Sequence, residues 1–233
     1  MKNETVKANL FIDGKEVVQV NSFKINGYIP TVEEIKQFIL DAGSDHLPTF
    51  GGSYEGGIHL QQCPCEIAPC LVELLKCKYE IKNYLETGSA AGGSAFIFNH
   101  FFPFEKMVLI DDNKHGKHSL RSETLKDINC QELVGRSDDE VVYDSVAKMG
   151  IQFDLIVLDS DHSYQNVRLE AALYLPFLRP GGFLFLHDTV YAPDGDGRVM
   201  RELSAYGGME LVAEYVSPEG PKCGIGLLRK AVA

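Results

Sequence analysis

The densest run of reactive side chains in the sequence is Asp159-Ser-Asp161-His162-Ser-Tyr164, answered further on by His187-Asp188-Thr189. Brought together, the carboxylates of Asp159, Asp161 and Asp188 would concentrate enough negative charge to hold a cation. The imidazole among them, His162, has an ordinary pKa near ~6.5 and can accept a proton at neutral pH, a contribution of roughly 10² to 10⁴ in rate. A metal-free alternative has Asp161 or Asp188 simply orienting His162 as an acid–base pair. An isolated histidine is more often a surface or capping residue, but this one follows directly on an acid that ends an apolar run, Phe153-Asp-Leu-Ile-Val-Leu158.

A second constellation lies upstream in Glu86-Thr-Gly-Ser-Ala-Ala-Gly-Gly-Ser94. Gly88 and Gly92 permit positive φ and let backbone approach a ligand closely, with Ser89 and Ser94 offering hydroxyls between and after them. A dinucleotide fingerprint would read Gly-x-Gly-x-x-Gly, but Ala90 takes the middle position and Glu86 would face the pyrophosphate. A carboxylate there suits an ammonium group better. The next apolar run, Met107-Val-Leu-Ile110, ends at Asp111, where an acid can accept both hydroxyls of a ribose. Its neighbour Asp112 is expected in solvent. A third turn, Leu133-Val-Gly-Arg-Ser137-Asp138, is by its residues a polar turn that either borders a ligand or does not.

These turns need a frame, and from Asn83 onward the chain supplies one by alternating short apolar runs with amphipathic segments, the rhythm of an α/β doubly wound sheet. Seven strands are expected, over 83–86, 106–111, 131–134, 153–159, 182–187, 210–216 and 224–229, with a helix over 165–178. The last two strands are separated only by residues 217–222, too few for a helical crossover, so they should form an antiparallel hairpin at the sheet edge. Ligands of open α/β sheets bind at the carboxyl ends of the strands, where the three turns fall in order.

The first sixty residues read as an N-terminal extension to a domain over 61–233. A hairpin is expected over 9–20, turning at Asp13-Gly14, and a helix over 31–42, opened by a Thr31/Glu34 capping box. The stretch Leu47-Pro-Thr-Phe-Gly-Gly-Ser-Tyr-Glu-Gly-Gly57 is either a flap over the site or a plain linker.

With 233 residues, 45% of them hydrophobic and 24% charged, the chain has the composition of one globular domain. Its formal net charge of -11 repels phosphate, so nucleic acid is not an expected partner. No run approaches the ~20 apolar residues that span a bilayer and no apolar leader follows the start, so a cytoplasmic protein without membrane attachment is expected. Whether it forms a homo-oligomer is left open. Cysteines stand at 63, 65, 70, 77, 130 and 223. Their spacing is not that of paired zinc knuckles. Cys70 and Cys77, two helical turns apart, are expected on one buried helix face, as small core residues of a reducing compartment.

Taken together, Leu-Asp159-x-Asp161-His162-x-Tyr164, Leu-Arg-Pro-Gly-Gly-x-x-x-x-His187-Asp188-Thr189 and the terminal hairpin resemble class I S-adenosylmethionine-dependent methyltransferases. Within that superfamily they are similar to the cephalosporin-hydroxylase-like and sugar O-methyltransferase family, related in turn to metal-dependent catechol-type O-methyltransferases. The resemblance covers roughly residues 60 to 230. It implies a Rossmann-like, mostly parallel sheet and O-methylation of a small hydroxylated acceptor. Glu86, Gly88, Ser89, Gly92, Ser94, Asp111, Ser137, Asp138 and Asp159 would bind S-adenosylmethionine, with Glu86 at the methionine end and the Ser137 turn beside adenine. Asp159 and His162 would be catalytic, and Asp159, Asp188 and Thr189 would hold Mg2+. Two departures stand out: Thr189 replaces an asparagine and is a weak ligand for a hard cation, and His187 is an unusual neighbour for magnesium. Upstream, Gln62-Cys-Pro-Cys-Glu66 resembles the family's Gln-x-Pro-x-Glu motif, with Glu66 either a helix N-terminal charge or a site residue. Tyr164 and Tyr191 either wall the acceptor pocket or lie on the surface. Two other classes compete: an NAD-dependent oxidoreductase, disfavoured by Ala90 and the hairpin, and a non-catalytic cofactor-binding subunit.

Overall fold

Thr31 opens the first helix as its spacing requires. Its hydroxyl accepts the Glu34 N–H, and the Glu34 carboxylate accepts the Thr31 N–H at 2.8 Å. The computed structural model describes residues 7–12, 15–21, 28–43, 57–77, 79–220 and 222–232, and the first two of these segments as backbone only. Strands β1 (Lys7–Ile12) and β2 (Lys15–Asn21) pair antiparallel. The expected Asp13-Gly14 turn lies outside the described residues, as does the glycine-rich segment up to residue 56. Helix α1 (Val32–Ala42) follows the hairpin, and α2 (Pro64–Leu75) starts on a proline, whose fixed φ suits a first helical position.

The main sheet then builds as β3 (Asn83–Thr87), α3 (Gly93–Phe101), β4 (Lys106–Asp111), the short α4 (Arg121–Thr124), β5 (Gln131–Val134), α5 (Glu140–Met149), β6 (Phe153–Leu158), α6 (Tyr164–Tyr174), β7 (Leu178–Leu186), α7 (Asp196–Tyr206), β8 (Met209–Tyr215) and β9 (Ile225–Lys230). Strand order is β5-β4-β3-β6-β7-β9-β8. The first five are parallel, and β9 inserts antiparallel between β7 and β8, giving the seven strands and the terminal hairpin expected.

Because both faces of the central strands are covered, their side chains alternate between two cores rather than between core and solvent. Leu155, Val157, Phe183 and Phe185 face a cluster with Ile35, Phe38 and Ile39 of α1, Ile67 and Leu71 of α2, and Phe98 of α3. Ile156, Leu158, Leu184 and Leu186 face a second cluster with Val146 of α5, Val167 and Tyr174 of α6, and Met200 of α7. Among the described residues, no helix is long and apolar enough to cross a membrane.

Two local expectations are corrected. Strand β7 begins at Leu178, not 182, and the helix before it ends at Tyr174. Arg179 reaches Asp154, whose other carboxylate oxygen accepts the Lys82 and Asn83 N–H groups at 2.8 Å. This tie draws Arg179-Pro180 into the sheet, with a register shift where Phe153 pairs Leu178 and Leu155 pairs Phe183. Cys70 is fully buried on α2, but the helix stops at Leu75 and leaves Cys77 beyond its end, only partly covered. The two do not share a helix face. All six cysteines are free.

Candidate active site

Glu86 and Thr87 end β3 between β4 and β6, so the turn that follows lies at the centre of the sheet's carboxyl edge. Gly88 (φ 80°) and Gly92 (φ 81°) both take left-handed backbone. A β-carbon on Gly88 would collide with the carbonyl oxygen of Asp159, and one on Gly93 would come within 2.8 Å of the Ile58 carbonyl oxygen. The glycines are thus required as much by neighbouring backbone as by a ligand. The turn passes into α3 along one wall of a cavity of about 500 Å³, to which Gly88, Ser89, Ala90 and Ser94 contribute.

Glu86 sits behind that wall rather than in it. Its carboxyl is fully buried and accepts the Ser94 hydroxyl, and burial pushes its pKa up to about 8, with Ser94 pulling the other way. The sequence expectation of a carboxylate presented directly to a ligand's ammonium is not what this arrangement provides.

Asp111, at the end of β4, does line the cavity. One of its oxygens accepts the Ala90 N–H at 2.8 Å; the other accepts the Asn113 N–H at 2.7 Å and faces the Arg121 guanidinium at 3.4 Å. Arg121 is buried, donates to Ser89 Oγ at 2.8 Å and to the Asn113 side chain, and so locks the glycine turn to the end of β4. Nothing in the sequence pattern singled it out, since it lies on a four-residue helix outside any strand-end turn. Asp112 is partly exposed and pairs with Lys114 at 2.7 Å. After β5, Gly135, Arg136 and Ser137 line the cavity, whereas Asp138 turns to Arg136 at 2.7 Å and is not among the lining residues.

The other wall carries the charged cluster. Asp159 follows β6, Asp188 follows β7, and His162 lies between Asp188 and Asp196: Nε2 is 3.0 Å from Asp188 Oδ2 and Nδ1 is 3.1 Å from Asp196 Oδ2. Burial works against a charge on this imidazole, but the Asp188 and Asp196 carboxylates outweigh it and hold its pKa up at about 10. The same imidazole, with His187, holds the Asp188 carboxyl well below the usual range in spite of burial. The sequence expectation of an ordinary, neutral His162 is therefore corrected: with its carboxylates unscreened it holds a proton. Asp161 does not orient it, because its carboxylate accepts the Ser163 N–H at 2.9 Å. Asp188 does, and so does Asp196, at the buried start of α7, which sequence reading missed.

Asp159 is fixed by two further residues. Gln62 donates its Nε2 to Oδ2 at 2.6 Å, and His187 Nδ1 lies 3.1 Å from Oδ1. Gln62 is the first residue of the Gln-x-Pro-x-Glu motif, so the motif carried the signal although its role did not follow from it. The last residue of that motif, Glu66, is fully buried and accepts the Ser217 and Gly224 N–H groups at 2.9 and 3.1 Å, tying α2 to the β8–β9 hairpin rather than serving the cavity.

Thr189 does not join the cluster. Its hydroxyl donates to Glu214 on β8 at 2.8 Å and it does not line the cavity. The expected Thr189 ligand is corrected: the backbone that brings Asp188 into left-handed φ (58°) turns the next side chain toward the hairpin. Neither tyrosine walls the cavity. Tyr164 donates to Glu202 at 2.9 Å beneath the Arg198 guanidinium, and Tyr191 is exposed.

A parallel sheet closed by an antiparallel hairpin, with a cavity between the β3–α3 glycine turn and acids ending β4, β6 and β7, defines a class I methyltransferase. In agreement, residues 85–189 match the family model described as "Methyltransferase domain". It is 27% identical over 111 residues to the mycinamicin VI 2''-O-methyltransferase of Micromonospora griseorubida, an alignment covering 46% of this chain and 26% of that protein. The chain thus spans about a quarter of that relative, and 51% of a second, uncharacterized relative from Acanthamoeba polyphaga mimivirus. Among solved structures it is similar to the O-methyltransferase TomG of Streptomyces achromogenes in complex with SAM, with TM-score 0.58, 17% identity, and 86% of this chain and 89% of that one covered. It is also similar to MycE, a methyltransferase of the mycinamycin biosynthetic pathway in complex with Mg, SAH and mycinamycin VI. There the TM-score is 0.55 at 18% identity, over 88% of this chain and 54% of that one. At such identities the structures establish the fold alone.

Proposed function

We propose that this chain transfers a methyl group from S-adenosylmethionine to a hydroxyl of a small acceptor such as a sugar or secondary metabolite. One observation carries the reading: a single cavity is bounded on one side by the glycine turn, Asp111 and Ser137, and on the other by Asp159, His162 and Asp188. Its volume of about 500 Å³ lies within the range of small-molecule sites, roughly 300–1,000 Å³. The O-methyltransferases named above support the same chemistry.

In this reading Gly88, Ser89, Ser94, Asp111 and Ser137 line the methyl donor's place, Gly92 shapes the turn, and Glu86 supports it from behind through Ser94. Asp138 acts only by holding Arg136. Methyl transfer is an in-line displacement at the sulfonium carbon, and an alcohol attacks poorly until its proton leaves. His162 lines the cavity and would take that proton at Nε2, the nitrogen 3.0 Å from Asp188, while Asp196 on Nδ1 fixes the ring.

A divalent cation fits between Asp159 and Asp188: Asp188 Oδ1 is buried without a hydrogen-bond partner, and Asp159, His162 and Asp188 offer ligand atoms all within 4.8 Å of one another. Held by Asp159 and Asp188, such an ion would supply acidification of a bound hydroxyl and would screen the Asp188 charge that otherwise keeps a proton on His162. Calorimetry with S-adenosylhomocysteine tests the donor site, and absence of binding at millimolar ligand would sink the proposal. Turnover on a panel of hydroxylated acceptors should be lost in EDTA and return with a divalent ion; indifference to chelator would leave the Asp–His pair to act alone.

A further inference from the structure

The cluster that faces the acceptor side of the cavity is not an all-oxygen shell. Magnesium demands hard oxygen ligands and retains several waters, whereas imidazole nitrogen suits first-row transition ions. His187 is placed as a donor to the same ion as Asp159 and Asp188. It is 3% exposed and lines the cavity, and its Nδ1 lies 3.1 Å from Asp159 Oδ1 and 3.4 Å from Asp188 Oδ2. Atoms bound about 2.1–2.2 Å from one ion at neighbouring octahedral positions stand roughly 3.0 Å apart, so these separations are close to the edges of a coordination polyhedron.

A buried polar atom points the same way. Asp188, 5% exposed, leaves Oδ1 without a hydrogen-bond partner. An orphaned carboxylate oxygen is costly in a buried site, and a cation beside it would satisfy it. Behind His187 and Asp188 the buried thiol of Cys223 offers a soft atom, and the three residues have ligand atoms within 4.8 Å of one another. Every departure from a magnesium shell here is toward softer donors.

We infer that His187 is a direct ligand of the cation held by Asp159 and Asp188, and that the site therefore takes a first-row transition dication such as Mn2+ or Co2+ in preference to Mg2+. This rests on the proposed cation at Asp159 and Asp188. The test is direct metal binding by the chelator-stripped whole chain, measured by calorimetry with Mn2+, Co2+ and Mg2+ separately. Mn2+ and Co2+ should bind about 100-fold more tightly than Mg2+, and His187→Asp, which replaces the nitrogen by an oxygen donor, should narrow that gap to within about tenfold. Pulsed electron paramagnetic resonance of the Mn2+-loaded wild-type chain supplies a readout that needs no variant to fold. Nitrogen coupling from a directly bound imidazole should appear, persist in His162→Ala and vanish in His187→Asp. Equal affinity for Mg2+ and Mn2+, or no nitrogen coupling, overturns the role of His187 while leaving the cation reading intact if Asp188→Asn abolishes binding of both ions. Failure of the wild-type chain to bind any dication overturns both.

Discussion

The two walls of the cavity balance charge by different means. On the wall proposed for the cofactor, Asp111 has both oxygens committed to backbone N–H groups and is locked by a buried arginine, so its geometry is set by the protein alone. On the opposite wall, the charged partners of Asp159, Asp188 and Asp196 among the described residues are two imidazoles, whose protons balance the charge, and Gln62 is a neutral donor to Asp159. A wall closed by an arginine is fixed at any pH near neutrality, because a guanidinium keeps its charge. A wall closed by histidines changes with whatever cation or substrate enters. In the proposed function, preorganised binding and responsive chemistry would thus be divided between β3–β4 and β6–β7.

The contrast breaks most sharply at His162. In His162→Ala, turnover should fall by roughly 10² to 10⁴ while S-adenosylhomocysteine binding, measured by calorimetry, stays within a few-fold. Parallel losses in both would mean that the walls are not separable in this way.

Gly88→Ala attacks the seam instead of either wall. The added carbon would meet the Asp159 carbonyl at a backbone φ of 80°, combining overpacking with a strained left-handed residue. A loss of about 2–4 kcal/mol is expected in urea unfolding, with cofactor affinity and turnover falling together. An unchanged midpoint would show that the turn can move off β6 at little cost.

Asp111→Ala isolates the cofactor wall. Affinity for S-adenosylhomocysteine should drop about 10- to 100-fold, the range for a charge-assisted hydrogen-bonded group, with dication affinity unaffected. A variant that bound S-adenosylhomocysteine normally would remove Asp111 from the cofactor site.

What was legible in the sequence follows the same division. The strands of the sheet could be read because β3, β4, β6 and β7 are short apolar runs ending in acids, and the hairpin because six residues cannot cross a sheet. Asp111, Asp159 and Asp188 were found because they end or closely follow such strands, and Ser137 and His162 because they stand in the polar turns after β5 and β6. Arg121 and Asp196 were not, because they reach Asp111 and His162 from a loop helix and from a helix start far along the chain, and Gln62 was read only as part of a motif in a segment before the sheet. Their roles depend on tertiary approach, which local pattern does not encode. Thr189 and Asp138 were over-read for the converse reason: sequence adjacency to a site residue says nothing about which way the next side chain turns. Gly88 was read as a position of close approach to a ligand, and its nearest constraint is the backbone that follows β6.

Glu86 gives the smallest effect and the finest test of the cofactor wall. Its carboxyl is fully buried, and burial raises its pKa from an ordinary 4.5 to about 8. A group whose folded pKa exceeds its unfolded one stabilises the fold while protonated. That contribution is complete below about pH 4.5 and is lost as pH rises through about 8. Across this window the wild-type chain should lose stability at no more than roughly 1.4 kcal/mol per pH unit from this group. Glu86→Gln keeps a neutral side chain of the same shape next to Ser94 at every pH, so the difference between the two urea-midpoint profiles should grow steadily from pH 5 to 8 and then level off. Parallel profiles would mean that Glu86 is ionised in the folded chain. In that event the negative charge behind the glycine turn, rather than Asp111 and the backbone, would be what the cofactor wall offers to a cationic ligand.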